Sequence, residues 1–337
     1  MLPLKRAAFF FVASCDTIVV RVMKRRILAT CIVTLLLPAC APQATPLPIP
    51  SQTPTFARLI PTPRYDVPTQ DQITVTREAA ETPPSAPITE STSTNIPSAD
   101  SAWMDLPVIP SPGENIREIY RRGLSLGNDP NAFSIFGDCQ AKPDEFFGVF
   151  ETDPSILNTL SPQLRETVKR FDGSFNRESS TAQDGTTPGA LLWSQWHRGE
   201  FGCTFLETPV ECELRTHSPS FVIIQVGSHF ESRNTEYLRR VIVQLIEKSV
   251  VPILATKADN RELDHRVNRD MALLAAEFNL PLWNFWAALE HLPNRGLYTR
   301  KDRPLQGDIY LTEEAQTIHR MTGLEALDIV WRMAAGQ

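Results

Sequence analysis

Four short apolar runs punctuate the C-terminal two thirds of the chain. They cover residues 132–136 before Gly137, 221–226 before Gly227, 250–255 and 280–285. Apolar runs of this length, almost without a polar position, predict parallel strands covered on both faces. Between them the period changes to that of a helix. Asn234 is placed to cap a helix reaching about residue 248, with Tyr237, Leu238, Val241, Ile242 and Leu245 on one face. Residues 263–278 give a second helix, and a last one opens near Thr312 with Glu313 and Glu314 at its positive end. This alternation predicts an α/β fold built on a right-handed, mainly parallel sheet.

The first third is different material. All 15 glycines lie at or after Gly113, whereas 15 of the 28 prolines fall between Pro42 and Pro112. Residues 41–112, rich in Pro, Thr, Ser and Ala, show no periodicity and predict a disordered, partly extended spacer. Upstream, Met23-Lys24-Arg25-Arg26 precedes an apolar run over residues 27–37 that ends in Leu37-Pro38-Ala39-Cys40. Basic, apolar and small residues in that order describe a secretory signal. Its end resembles a bacterial lipobox, which implies a diacylated Cys40 anchoring the protein to a membrane of the cell envelope, facing outside the cytoplasm. The run is short for a ~30 Å hydrocarbon core, which argues against a spanning helix. A complete signal at Met23 implies that translation starts there and that residues 1–22 are an over-extended start. The expected organisation is a signal over 1–40, a linker over 41–112 and one folded domain over 113–337.

Charge narrows the partners. The whole chain has a formal net charge of -6, and without residues 1–40 it carries 27 basic against 38 acidic residues, a net of -11. A nucleic-acid binder needs a basic face to displace counterions, so that class is excluded.

In open parallel sheets the chemistry sits in loops at the strand C-terminal ends. Here those loops read Gly137-Asp138-Cys139-Gln140 and Gly227-Ser228-His229-Phe230, with Asp308-Ile309-Tyr310-Leu311 before the last helix. In order and context the three resemble the SGNH (GDSL-like) hydrolase superfamily over about 205 residues. The resemblance implies a three-layer α/β/α sandwich with a mainly parallel sheet, flavodoxin-like in outline, and an ester hydrolase acting on acylated glycans or similar esters. In that family a serine follows Gly-Asp, an asparagine stands two residues after the middle glycine, and a histidine lies three residues after the last aspartate. Each block departs from the pattern. Cys139 holds the serine position, His229 the asparagine position, Phe230 the following aspartate, and Leu311 the general base. A surviving activity would use Cys139 as nucleophile, His229 as a relocated base and Asp308 as orienter, with Asp138, Gly227 and backbone N–H groups supporting substrate and oxyanion. The alternative is a non-catalytic module that binds a glycan or cell-wall fragment in the same cleft.

Cys203 and Cys212 form the natural disulfide in an oxidising compartment, in a loop-like stretch containing Pro209. Cys139 has two further readings, as an apolar filler or as the partner of either of those cysteines. The six histidines show no metal-ligand spacing, and no dinucleotide or phosphate loop is present, so no cofactor or metal is expected. Trp193 and Trp196 with His197 form one aromatic group, and Trp283 with Trp286 another. Either suits a sugar ring, although tryptophans more commonly fill a core seam. The loop Lys257-Ala258-Asp259-Asn260-Arg261 lies at the functional edge of the sheet, to bind substrate or to shape the turn into the next helix.

Overall fold

The computed structural model describes residues 101–337 and, before them, two short strands, Ala13–Ser14 and Thr17–Ile18, paired antiparallel. The chain divides into two units, Met1–Ala86 and Pro87–Gln337. Cys40, most of the signal and the linker as far as residue 100 lie outside the described residues. Among the described residues no helix is long and apolar enough to cross a membrane.

The second unit is an α/β sandwich. Its sheet runs in the order β1 (Asp129–Gly137), β2 (Pro219–Gln225), β3 (Val251–Ala255) and β4 (Leu282–Trp283), all parallel. Helices α1 (Asn115–Leu126), α2 (Pro162–Arg170), α3 (Pro209–Thr216), α4 (Asn234–Glu247), α5 (Arg266–Glu277) and α6 (Glu313–Ala335) surround it. On the flanks α4 packs against α5, while α6 packs against α1 and α2. Every residue of β2 and β3 is buried, as a two-faced parallel strand requires. Register places Phe133 beside Phe221 and Ile135 beside Ile223. Phe133 then meets Phe147, Phe171 and Phe175 edge to face. Each such fully buried aromatic contributes about 1.5–3 kcal/mol through the area it removes from water.

Local chemistry moves several expected boundaries. The strand expected over 280–285 is only Leu282–Trp283, because the Asn284 side chain accepts from the Ala287 N–H and starts the turn Phe285–Ala288. Asn234 is not a cap. It is the first residue of α4, buried, while Arg233 stands at the N-cap without a side-chain capping bond. Helix α5 begins at Arg266, after His265 in a left-handed conformation (φ 55°). Thr312 caps α6, accepting from the Ala315 N–H at 3.3 Å, with both expected glutamates in the first turn. Cys212 lies within α3 rather than in a loop. Thr208 and Glu211 form a capping box there, with Pro209 in the first turn.

Order begins before Gly113. Trp103 is 4% exposed and packs on Trp286, and its carbonyl accepts from Asn284 Nδ2 at 2.9 Å. The last dozen residues of the expected linker therefore belong to the folded unit. Cys203 and Cys212 are joined in a disulfide, which leaves Cys139 free.

Candidate functional site

Two glycines shape the C-terminal edge of the sheet. A Cβ at Gly137 would collide with Ala141 Cβ and sit 2.7 Å from Gln225 O, so only glycine lets the chain turn out of β1. Gly227 has φ 134° and lies against Val267 and the Lys257 stem, again leaving no room for a side chain.

Between these turns sits Asp138, 2% exposed. Its Oδ2 accepts from the backbone N–H of Gly227 at 3.2 Å and of Ser228 at 2.9 Å, and Oδ1 accepts from Gln140 N–H at 3.4 Å. Burial, then the nearby Asp259 charge, pushes its carboxyl up to about 6, against the pull of the three N–H groups. Gly227 was expected to support an oxyanion. In the structure its N–H is already committed to Asp138, and the same holds for Ser228.

Cys139 follows on the short turn Cys139–Ala141, half-buried. Burial raises its thiol far above the ordinary range, and Asp138, Asp184 and Asp259 add to the rise. A reactive cysteine needs a cation or an imidazole beside it. Among the described residues no hydrogen bond joins Cys139 to His229 or to any other histidine. His229 is half-buried, its basicity lowered by burial and by Arg261.

The remaining expected partner is elsewhere. Asp308 sits in the loop between β5 (Leu297–Tyr298) and β6 (Tyr310–Leu311), an antiparallel pair. It is exposed, accepting from Asn294 Nδ2 at 3.0 Å and from Thr299 Oγ1. It orients no imidazole. Leu311, at the position of the expected base, is buried and pairs with Leu297. His319 is a core residue: Nε2 shares a 2.8 Å hydrogen bond with Gln225 Oε1, and the ring stacks on Phe146 at 4.1 Å. Burial holds its pKa well below the usual value. The structure thus brings Asp138 and Gly227 together, and among the described residues no hydrogen bond links Cys139, His229 and Asp308 to one another.

A cleft of about 180 Å³ opens beside Cys139, with Lys142, Asp184, Arg300, Arg303 and Tyr310 on its walls. Lys142 Nζ lies 3.6 Å from Asp184, so part of the charge is internally balanced. Behind the cleft is a buried network that sequence reasoning had only partly marked. Lys257 Nζ donates to Asp259 Oδ1 at 2.7 Å and to Glu262 Oε2 at 2.5 Å, and Ser228 Oγ donates to Asp259 Oδ2 at 3.0 Å. Lys257 and Asp259 belong to the loop singled out from sequence. Glu262 was missed, and the signal available was its place at the end of a charged run directly after a strand. The network fixes the Ser228 turn and, through it, Asp138.

No protein-family model and no curated protein matches the chain. The site therefore rests on its own geometry.

Proposed function

We propose that this chain is a membrane-anchored envelope lipoprotein whose folded domain descends from SGNH-type ester hydrolases and now binds rather than turns over its ligand. The observation that carries the reading is the environment of Cys139. Burial and three nearby carboxylates disfavour its thiolate, no hydrogen bond joins it to a histidine among the described residues, and the neighbouring N–H donors are occupied by Asp138. A nucleophile without base or oxyanion donors retains little of a triad's advantage. The parallel sheet and the position of Asp138-Cys139 directly after β1 support the descent. The lipobox-like Leu37-Pro38-Ala39-Cys40 and the Pro/Thr spacer support the anchored location. The cleft beside Cys139, walled by charged groups of both signs, suits a polar ligand such as a glycan or a cell-wall fragment.

The test is hydrolysis of a small acetyl ester by the full-length protein beside Cys139→Ala and His229→Ala. All three are expected to match the buffer rate. Turnover abolished by both substitutions would refute the proposal and establish a working Cys–His esterase.

A further inference from the structure

A second cleft, about 540 Å³, lies on the other side of the 304–309 loop, where the loops after β3 and β4 meet it. Its floor is Trp286, and Trp103, His265 and Trp286 pack there as an aromatic trio with ring centroids 4.7–6.0 Å apart. Each member carries a buried ring nitrogen without a partner: Trp103 Nε1, Trp286 Nε1 and His265 Nδ1. All three atoms are shielded from the cleft as well as from solvent, so they form a donor-rich wall behind it rather than contacts for a ligand.

All three are donors. The indoles can be nothing else. For His265 the tautomer follows from its neighbour. Asn260 Oδ1 already accepts from the His265 backbone N–H at 2.9 Å, which orients the amide Nδ2 toward His265 Nε2, also at 2.9 Å. Nε2 is therefore the acceptor, and the proton sits on Nδ1.

Two guanidiniums add to the surplus. Arg261 Nη1 donates to Ser228 O at 3.1 Å, and Arg295 Nη1 donates to Trp286 O at 2.8 Å while its plane lies 3.8 Å from the Trp286 ring centroid. Neither forms an ion pair among the described residues. Both are thus held in place by backbone carbonyls with further N–H groups to spare. The single carboxylate on the wall, Asp308, is at the rim.

The backbone agrees. Leu263, His265, Asn294 and Arg295 all line this cleft and all adopt positive φ, 46–70°. Non-glycine residues held in that region cluster where a ligand is clamped.

We infer that this cleft binds a carboxylate-bearing sugar of the hexuronate class, with Arg261 and Arg295 taking the carboxylate and Asp308 a ring hydroxyl. A guanidinium fork matches a planar carboxylate, and two without an ion-pair partner among the described residues line this cleft. The volume exceeds what a bare carboxylate fills and suits a sugar ring. The inference extends the binding reading but uses a different cleft, so each can fail alone.

The experiment is calorimetric titration of the full-length protein with D-glucuronate, D-glucose, acetate and inorganic phosphate, repeated on Arg261→Gln and Trp286→Phe. Arg261 is exposed, so its substitution leaves packing intact. Glucuronate is expected to bind at least tenfold tighter than glucose or acetate. Arg261→Gln should lose about tenfold of that affinity, and Trp286→Phe, which shrinks the ring face that Arg295 lies on, severalfold. Equal binding of glucose or acetate, displacement by equimolar phosphate, affinity unchanged in Arg261→Gln, or no binding of glucuronate would each overturn the inference. Esterase turnover, by contrast, would refute the proposed function without touching this cleft.

Discussion

Asp138 makes the stability of this domain depend on pH in an unusual direction. Its carboxyl is raised from 3.8 to about 6 in the folded protein, chiefly by burial. The folded state therefore holds a proton between those pH values that the unfolded state has released. Stability contributed by this group is highest below about pH 4 and falls as pH rises to about 6. A rise of this size corresponds to about 3 kcal/mol. Asp138→Asn removes the ionisation while keeping an oxygen to accept from Gly227 and Ser228 N–H, and sacrifices only the long contact to Gln140 at 3.4 Å. The difference in unfolding free energy, variant minus wild type, should rise by up to about 3 kcal/mol between pH 4 and pH 7.5. Urea unfolding at several pH values measures it, and pairing each variant with wild type cancels the other carboxylates. For a domain of this size the same change appears as a shift of about 6–12 °C in Tm. A difference that stays constant across the range, or that shrinks as pH rises, would contradict a raised Asp138 carboxyl. It would mean that the three N–H groups outweigh burial and hold Asp138 charged.

Other consequences are simpler to read. Cys139 should alkylate with iodoacetamide at pH 8 at least tenfold more slowly than in urea-unfolded protein, followed by peptide mass; comparable rates would contradict its shielding by burial and carboxylates. Lys257→Met leaves Asp259 and Glu262 buried without their cation and should destabilise by about 3–5 kcal/mol; an unfolding midpoint within error of wild type would show the cluster to be wet. Opening the Cys203–Cys212 disulfide with paired serine substitutions should destabilise by about 2–3 kcal/mol, measured by thermal unfolding, because so short a loop closes little chain entropy.

How much of this was legible in the sequence depends on what each signal reports. The strands β2 and β3 stand out because an uninterrupted apolar run has no other comfortable place than a covered sheet. β4 is overestimated by the same rule, since Asn284 inside the run is a cap rather than a flaw in a strand. Helix α1 buries Ile116, Ile119 and Tyr120 at helical spacing, yet no capping side chain marks its start after the prolines. Trp103 hides in Pro-rich composition, and only its partners Trp286 and Asn284, about 180 residues away, show that it is core.

The site was legible as a place more than as a mechanism. That Asp138 and Gly227 would meet follows from adjacent parallel strands. That Asp138 would consume the N–H groups of Gly227 and Ser228 is a matter of tenths of an ångström, which spacing does not encode. Asp308 stands out in the sequence only by its match to the aspartate of an Asp-x-x-His pattern just before the last helix. Its actual partners, Asn294 and Thr299, reach it because β5 and β6 fold back on each other. The two tryptophan groups also separate on sight of the fold. Trp283 is fully buried against Phe146, Trp286 floors the second cleft, and Trp193 is 54% exposed.

Binding without turnover requires that Cys139 does not attack an acyl carbon. Intact-protein mass spectrometry after incubation of the full-length protein with p-nitrophenyl acetate at pH 7.5 tests this directly, with Cys139→Ala alongside. No acetyl adduct beyond that of the variant is expected. An adduct of one acetyl group per chain, mapped to Cys139 and absent from Cys139→Ala, would contradict binding without turnover.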